Sequence, residues 1–186
     1  MSLEEIFLFG EEKMEKALIQ LKKEFASVRT GRANPLILDK VVVDYYGAPT
    51  PLRQLSQVTV QDGTTLVISP FDKTIIKDIE KALIKAELGI TPNSDGTVLR
   101  LSFPPLTADR RKEISKDVKK MGEEAKVAIR NIRRDMADDL KKAEKSENLS
   151  EDVIKDNQNE IQKLTDKFTK TIDDLTVEKE KEVLTV

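Results

Sequence analysis

The sequence predicts an α+β protein, an elongated antiparallel bundle of three long helices interrupted by a small inserted α+β unit. Three observations carry that prediction. Apolar residues recur with helical spacing near both ends of the chain. Between Pro35 and Pro105 the period changes, Pro and Gly concentrate, and short β-branched runs appear. The chain has 186 residues, 38% of them apolar, which is room for one or two domains with a packed core.

Residues 3–28 carry Leu3, Phe7, Met14, Leu18, Leu21, Phe25 and Val28, mostly spaced four then three, a seam along one helix face. Ser2 with Glu5 three residues later reads as a capping box, and Gly31 reads as the left-handed stop. In the insert, Val41–Val43, Val58–Val60, Leu66–Ile68 and Val98–Leu101 read as strands. Asp62-Gly63 is a two-residue hairpin signal, and Pro92 to Gly96 reads as a turn before the last strand. One insert helix is expected from an Asp72 cap to a Gly89 stop, with Ile75, Ile76, Ile79, Leu83 and Ala86 toward the sheet.

After Pro105, the residues Ile114, Val118, Met121, Ala125, Ile129, Ile132, Met136 and Leu140 share one side of a helix of roughly 38 residues, about 57 Å long. Ser146 to Ser150 breaks the pattern. Ser150 then caps a third helix whose seam is Ile154, Asn157, Ile161, Leu164, Phe168, Ile172 and Leu175. The first helix precedes the insert and the other two follow it, so the bundle closes only when the two ends of the chain pack together. The expected division is 1–29 plus 106–186 for the bundle and 30–105 for the insert. Thr30-Gly31 and Pro104-Pro105 are the two connecting strands and the candidate hinge, because Gly frees the backbone and Pro-Pro donates no backbone hydrogen bonds.

Composition narrows the chemistry. With no His, Cys or Trp, a catalytic triad, a zinc site and a disulfide framework are excluded, and the expectation is a protein that is not an enzyme. No cofactor or metal is expected. Neither G-x-x-x-x-G-K nor G-x-G-x-x-G occurs, so any nucleotide energy would come from another protein. Met1-Ser2-Leu3-Glu4-Glu5 lacks the marks of a secretion or transit signal, and no apolar run approaches the ~18 residues of a membrane span, so a soluble, cytoplasmic protein is expected.

Net charge is only -2, yet it is unevenly spread. Residues 104–143 hold 12 basic and 8 acidic groups, whereas 144–186 hold 7 and 12. At about 100° per residue, Lys112, Lys116, Lys119, Lys126, Arg130, Arg133, Arg134 and Lys141 fall within about 60° of Arg130, opposite the apolar seam, and only Glu123 interrupts them. A solvated helix face usually mixes signs through i to i+4 pairs; a one-sign row is relieved by a polyanion such as a nucleic-acid backbone. Arg suits phosphate through its planar fork, which puts Arg130, Arg133 and Arg134 at the centre of the candidate site. Arg29 and Arg32 flank the first connecting strand, and Arg110, Arg111 and Lys112 follow the second. Arg110 and Arg111 sit in a helix's first turn, where the dipole disfavours cations. Aromatic content of 4% gives a base-stacking platform little support, so binding should read shape and phosphate.

The strings Arg29-Thr30-Gly31-Arg32-Ala33-Asn34-Pro35, Tyr45-Tyr46-Gly47-Ala48-Pro49-Thr50-Pro51-Leu52, Phe103-Pro104-Pro105-Leu106-Thr107, Arg130-Asn131-Ile132-Arg133-Arg134-Asp135 and Gln162-Lys163-Leu164-Thr165-Asp166-Lys167 stand in collinear order over nearly the whole chain. They resemble the motifs of the ribosome recycling factor family. The resemblance implies an L-shaped, transfer-RNA-like outline, a three-helix bundle with a β/α/β insert on a flexible elbow. It implies a factor that binds the large ribosomal subunit through its rRNA after termination and, with elongation factor G and its GTP, splits the ribosome and frees it from messenger RNA. By matching motif, the rRNA contacts would be Arg29, Arg32, Arg110, Arg130, Arg133 and Arg134, with Lys126 added by its position on the row. The protein is expected to be a monomer that binds neither DNA nor membrane. Where the family commonly has Ala-Asn after Arg-Asp, this chain has Met136-Ala137, so one polar rRNA contact is expected to be missing.

Two other readings compete. A coiled-coil scaffold would require an exposed apolar patch, whereas the outer faces traced here are charged. A carboxylate Mg2+ enzyme would draw on Asp135, Asp138 and Asp139, which are read more simply as solubilising residues.

Overall fold

The computed structural model describes residues 1–185. In chain order its elements are α1 (Leu3–Ala26), β1 (Val42–Tyr45), β2 (Ala48–Pro51), α2 (Leu52–Leu55), β3 (Ser56–Gln61), β4 (Thr65–Pro70), α3 (Ile76–Lys85), β5 (Asn93–Ser94), β6 (Leu99–Ser102), α4 (Ala108–Glu147) and α5 (Glu151–Leu184). The fold is α+β, and contacts group it into two compact units, Met1–Val28 with Lys112–Thr185, and Arg29–Arg111.

The helical unit is three packed helices. Ser2 and Glu5 form the capping box that starts α1, with reciprocal bonds of 3.2 and 2.8 Å. The helix buries Ile6, Gly10, Met14, Leu18, Leu21 and Phe25. The expected seam therefore shifts at its start: Leu3 and Phe7 are half-buried, and Ile6 and Gly10 face the core instead. The stop also moves. Ser27, in right-handed conformation, closes α1, and Gly31 at φ +83° turns the loop four residues later. A Cβ built on Gly10 would lie 2.3 Å from Met136 Sδ, and one on Gly122 would lie 2.5 Å from Thr176 Oγ1. The start of α1 thus meets the end of α4, and the middle of α4 meets the end of α5, so α4 runs antiparallel to both. At both interior glycines the neighbouring helix leaves no room for a Cβ. Asn148, at φ +54°, makes the turn after α4, and Ser150 Oγ accepts the Val153 N–H to start α5. In α5 the buried residues are Ile154, Ile161, Thr165, Phe168, Ile172 and Val183, with Asn157, Leu164 and Leu175 half-buried beside them.

The insert holds two antiparallel sheets, β1-β2 and β3-β4-β6-β5. Its core joins Leu38, Val41, Val43, Leu52, Leu66, Ile68, Leu99 and Leu101 to Ile75, Ile79 and Leu83 from the helical segment, with Ile76 and Ala86 packed alongside. The sequence reading missed β2, whose Pro49 and Pro51 argue against a strand; they are tolerated because they oppose only Asp44 and Val42 of a single neighbour. Tyr46 and Gly47, both at positive φ, close that hairpin. At the next hairpin, Asp62 and Gly63 take positive φ and Thr64 N–H donates to Gln61 O at 3.3 Å, but pairing starts at Gln61 and Thr65, leaving three residues between the strands rather than two. Asn93 and Ser94 are strand rather than turn, pairing with Arg100 and Leu99. The turn falls after them, where Asp95 accepts from Thr97 N, Thr97 Oγ1 and Val98 N and pairs with Arg100 at 2.8 Å.

Candidate nucleic-acid interface

Helix α4 has 40 residues and is therefore about 60 Å long. Thr107 starts it, its hydroxyl accepting the Arg110 N–H at 3.1 Å and its carbonyl the Arg111 N–H at 3.0 Å. One side buries Ile114, Ser115, Val118, Gly122, Ile129, Met136, Leu140 and Ala143. On the other side Lys112, Lys116, Lys119, Arg130, Arg134 and Lys141 are exposed and Arg133 is half-buried. Among the described residues, none of these seven is in an ion pair or a side-chain hydrogen bond. Ala137 lies between them, half-buried. A helix presenting free cations in one row is a surface held ready for anions, since burying no counter-charge leaves the whole field to the outside.

Lys126, expected as an rRNA contact, does not belong to that free row. Its ammonium lies 2.8 Å from Glu123 and 2.9 Å from Asp173 of α5, and its side chain is only 16% exposed. The hydrogen bond it donates to Glu123, and then the one it donates to Asp173, hold it charged, raising its pKa above the ordinary lysine value. Glu123, which interrupts the row in the sequence, therefore interrupts it by occupying Lys126. Asp173 reaches across because the neighbouring turn brings Gly122 against Thr176. A glycine inside a long helix costs about 1 kcal/mol, and that is the signal for this approach that the seam reading passed over.

The cations beside the connecting strands divide. Arg32 is exposed and has no protein partner among the described residues, whereas Arg110, also exposed, has one. Arg29 is half-buried: its guanidinium donates to the Pro104 carbonyl, and its Nε is enclosed without a partner. Part of Arg29 is thus spent inside the fold, linking the Arg29–Gly31 segment to Pro104, and Arg111 Nε is likewise enclosed. Both segments also fasten to the β3-β4 hairpin, Ala33 N–H to Gly63 O at 2.9 Å and Phe103 N–H to Thr64 O at 2.8 Å.

Among the described residues no group of acidic side chains could hold a metal ion, so Asp135, Asp138 and Asp139 do not converge. The outer faces are less uniformly charged than the sequence suggests. Leu8, Phe9 and Ile19 on α1 are exposed, Leu8 at 64%, because they fall off the seam that α4 and α5 cover. Tyr45 and Tyr46 pack edge to face, with centroids 4.6 Å apart, at the β1-β2 hairpin. Among the described residues no helix is long and apolar enough to cross a membrane.

The sequence profile of the ribosome recycling factor family matches residues 21–184. The chain is similar to the ribosome-recycling factor of Bacillus velezensis, 54% identical over 182 residues that cover 98% of each chain. It is likewise similar to that of Caldicellulosiruptor saccharolyticus, 55% identical over 177 residues, 95% of this chain and 96% of the relative. Among solved structures, it resembles a solution structure of ribosome recycling factor with a TM-score of 0.83 and 38% identity, covering 100% of this chain and 99% of that one. It also resembles the T. thermophilus ribosome recycling factor in models with E. coli elongation factor G bound to the E. coli post-termination complex. There the TM-score is 0.68 and the identity 44%, over 99% of this chain and 100% of that chain.

Proposed function

The chain belongs to the ribosome recycling factor family, and from that premise we propose that it works as a rod docked on rRNA by one face of α4. The protein is a ribosome recycling factor in function: it binds the ribosome left after termination and, with elongation factor G and GTP, separates the subunits so that translation can restart. It acts in the cytoplasm and catalyses no reaction of its own; the GTP is hydrolysed by the partner. The large subunit is held through phosphate contacts from Arg130, Arg133 and Arg134, extended by Lys112, Lys116, Lys119 and Lys141. Arg32 and Arg110 contribute at the other end, and Arg29 only with the nitrogens left outside its bond to Pro104.

The observation that carries this reading is the row of seven cations, unpaired among the described residues, on one side of a 40-residue helix. A long helix buttressed by two others transmits a push without bending, because its apolar side is held along its length. Residues 1–29 plus 106–186 form that rod in this proposal. Residues 30–105 are the part that meets the partner, and Thr30-Gly31 with Pro104-Pro105 form the hinge. Gly31, at a φ of +83° that other residues rarely adopt, supplies the backbone freedom this hinge would draw on.

The test is subunit splitting and large-subunit binding by Arg133→Ala with the fold intact. Loss of both is expected; unchanged splitting and binding would remove the anchoring role.

A further inference from the structure

Lys126, Glu123 and Asp173 together carry one net negative charge in the middle of a face that is otherwise cationic. Glu123 lies within about 20° of Arg130 around α4, on the centre line of the row. Its side chain is 63% exposed and that of Asp173 is 52% exposed, so both remain open to the outside while binding the ammonium. The last free cation of the row before this node is Lys119 and the first after it is Arg130, eleven residues or about 16 Å along the helix. The cations therefore form two separate groups. Lys112, Lys116 and Lys119 lie on one side of the node, and Arg130, Arg133, Arg134 and Lys141 on the other.

We propose that Glu123 and Asp173 are specificity-determining residues, an anionic node that stops a single phosphate chain from lying along the whole face. The inference rests on the rRNA-docking reading above. An uninterrupted row of eight cations would suit any polyanion, and its affinity would carry no information about shape. A negative node makes lengthwise binding of one strand unfavourable, while an RNA surface that offers phosphates at the two ends and leaves the middle clear loses nothing. Discrimination then comes from repulsion of the wrong partner as much as from attraction of the right one. The node is built into the packing: Gly122 lets α5 approach, Thr176 Oγ1 is tied back to Ile172 O at 2.7 Å, and Asp173 is thereby held within reach of α4.

The test compares poly(U) RNA with isolated large subunits as partners of the full chain. In Glu123→Gln/Asp173→Asn, poly(U) should bind about tenfold tighter at low salt. Its log-log salt slope should steepen by about 0.7 unit as Lys126 becomes available to a strand, while large-subunit affinity changes less than threefold. Asp173→Asn alone should move the same way by a smaller amount, and melting curves verify that each variant is folded. Lys126→Met should leave the salt slope of large-subunit binding unchanged, since Lys126 is not a contact. Poly(U) binding no tighter in the carboxamide variants, or a large-subunit slope flattened by Lys126→Met, would overturn the node. Arg133→Ala tests the docking reading separately, because it should weaken large-subunit binding whether or not the node exists.

Discussion

Arg133 is half-buried between the exposed Arg130 and Arg134, and among the described residues its guanidinium has no protein partner. A planar fork donating to phosphate loses little rotamer freedom on binding. Its truncation should therefore cost on the order of 1.5–3 kcal/mol, a tenfold or greater loss of large-subunit affinity in a binding titration. Asp95 gives a prediction about stability. Two backbone N–H groups, first Val98 and then Thr97, with Arg100, hold its carboxyl well below the ordinary value of 3.8. A depressed carboxyl stabilises the fold above its unfolded pKa, and that contribution is lost as pH falls through the folded value. Asp95→Ala should thus melt at a lower temperature than the parent from about pH 7 down to about pH 4, and the gap should shrink in more acid solution. The free cations were legible because 3.6-residue periodicity is enough to sort them onto one face. Lys126 was not, since its second partner, Asp173, lies on another helix and no local pattern reveals which carboxylate a neighbouring helix will bring.

At the scale of elements, the helices were readable because each repeats one apolar seam over many turns and starts at a side-chain cap, Ser2 or Ser150. The short strands were harder, and β2 with its two prolines was invisible, because its place is set by pairing with β1 rather than by its own propensity. Helix register depends on the two interior glycines, and they should respond differently to an added methyl. At Gly10 the obstacle is mostly the far end of Met136, a flexible side chain. At Gly122 it is Thr176, stiff at χ1 and bonded to Ile172 O. Overpacking costs about 1–3 kcal/mol, and replacing a helical glycine by alanine returns about 1 kcal/mol. Gly10→Ala should therefore be close to neutral in urea denaturation, whereas Gly122→Ala should be destabilised by about 1–2 kcal/mol and should also release Lys126 from Asp173.

For the molecule as a whole, the expected division of the chain into a helical part and an insert follows from period and composition together, since helical spacing holds near both ends while Pro, Gly and short β-branched runs crowd into one stretch. Docking by phosphate contacts has a property that apolar docking lacks, steep weakening with salt. Each phosphate contact contributes about 0.7–0.9 to the log-log slope, so the parent should show a steep dependence and Arg133→Ala a slope flatter by about one contact. Leu8 and Phe9 are exposed elsewhere, on α1, and an apolar contact there would add little to that slope. The decisive measurement is sedimentation of post-termination ribosomes with elongation factor G and GTP, run with the parent protein and with folded Arg133→Ala across a salt series. The parent should convert ribosomes to subunits and lose that ability as salt rises, and the variant should fail at salt concentrations where the parent still works; equal splitting by both at every salt would contradict an anchor made of cations on α4.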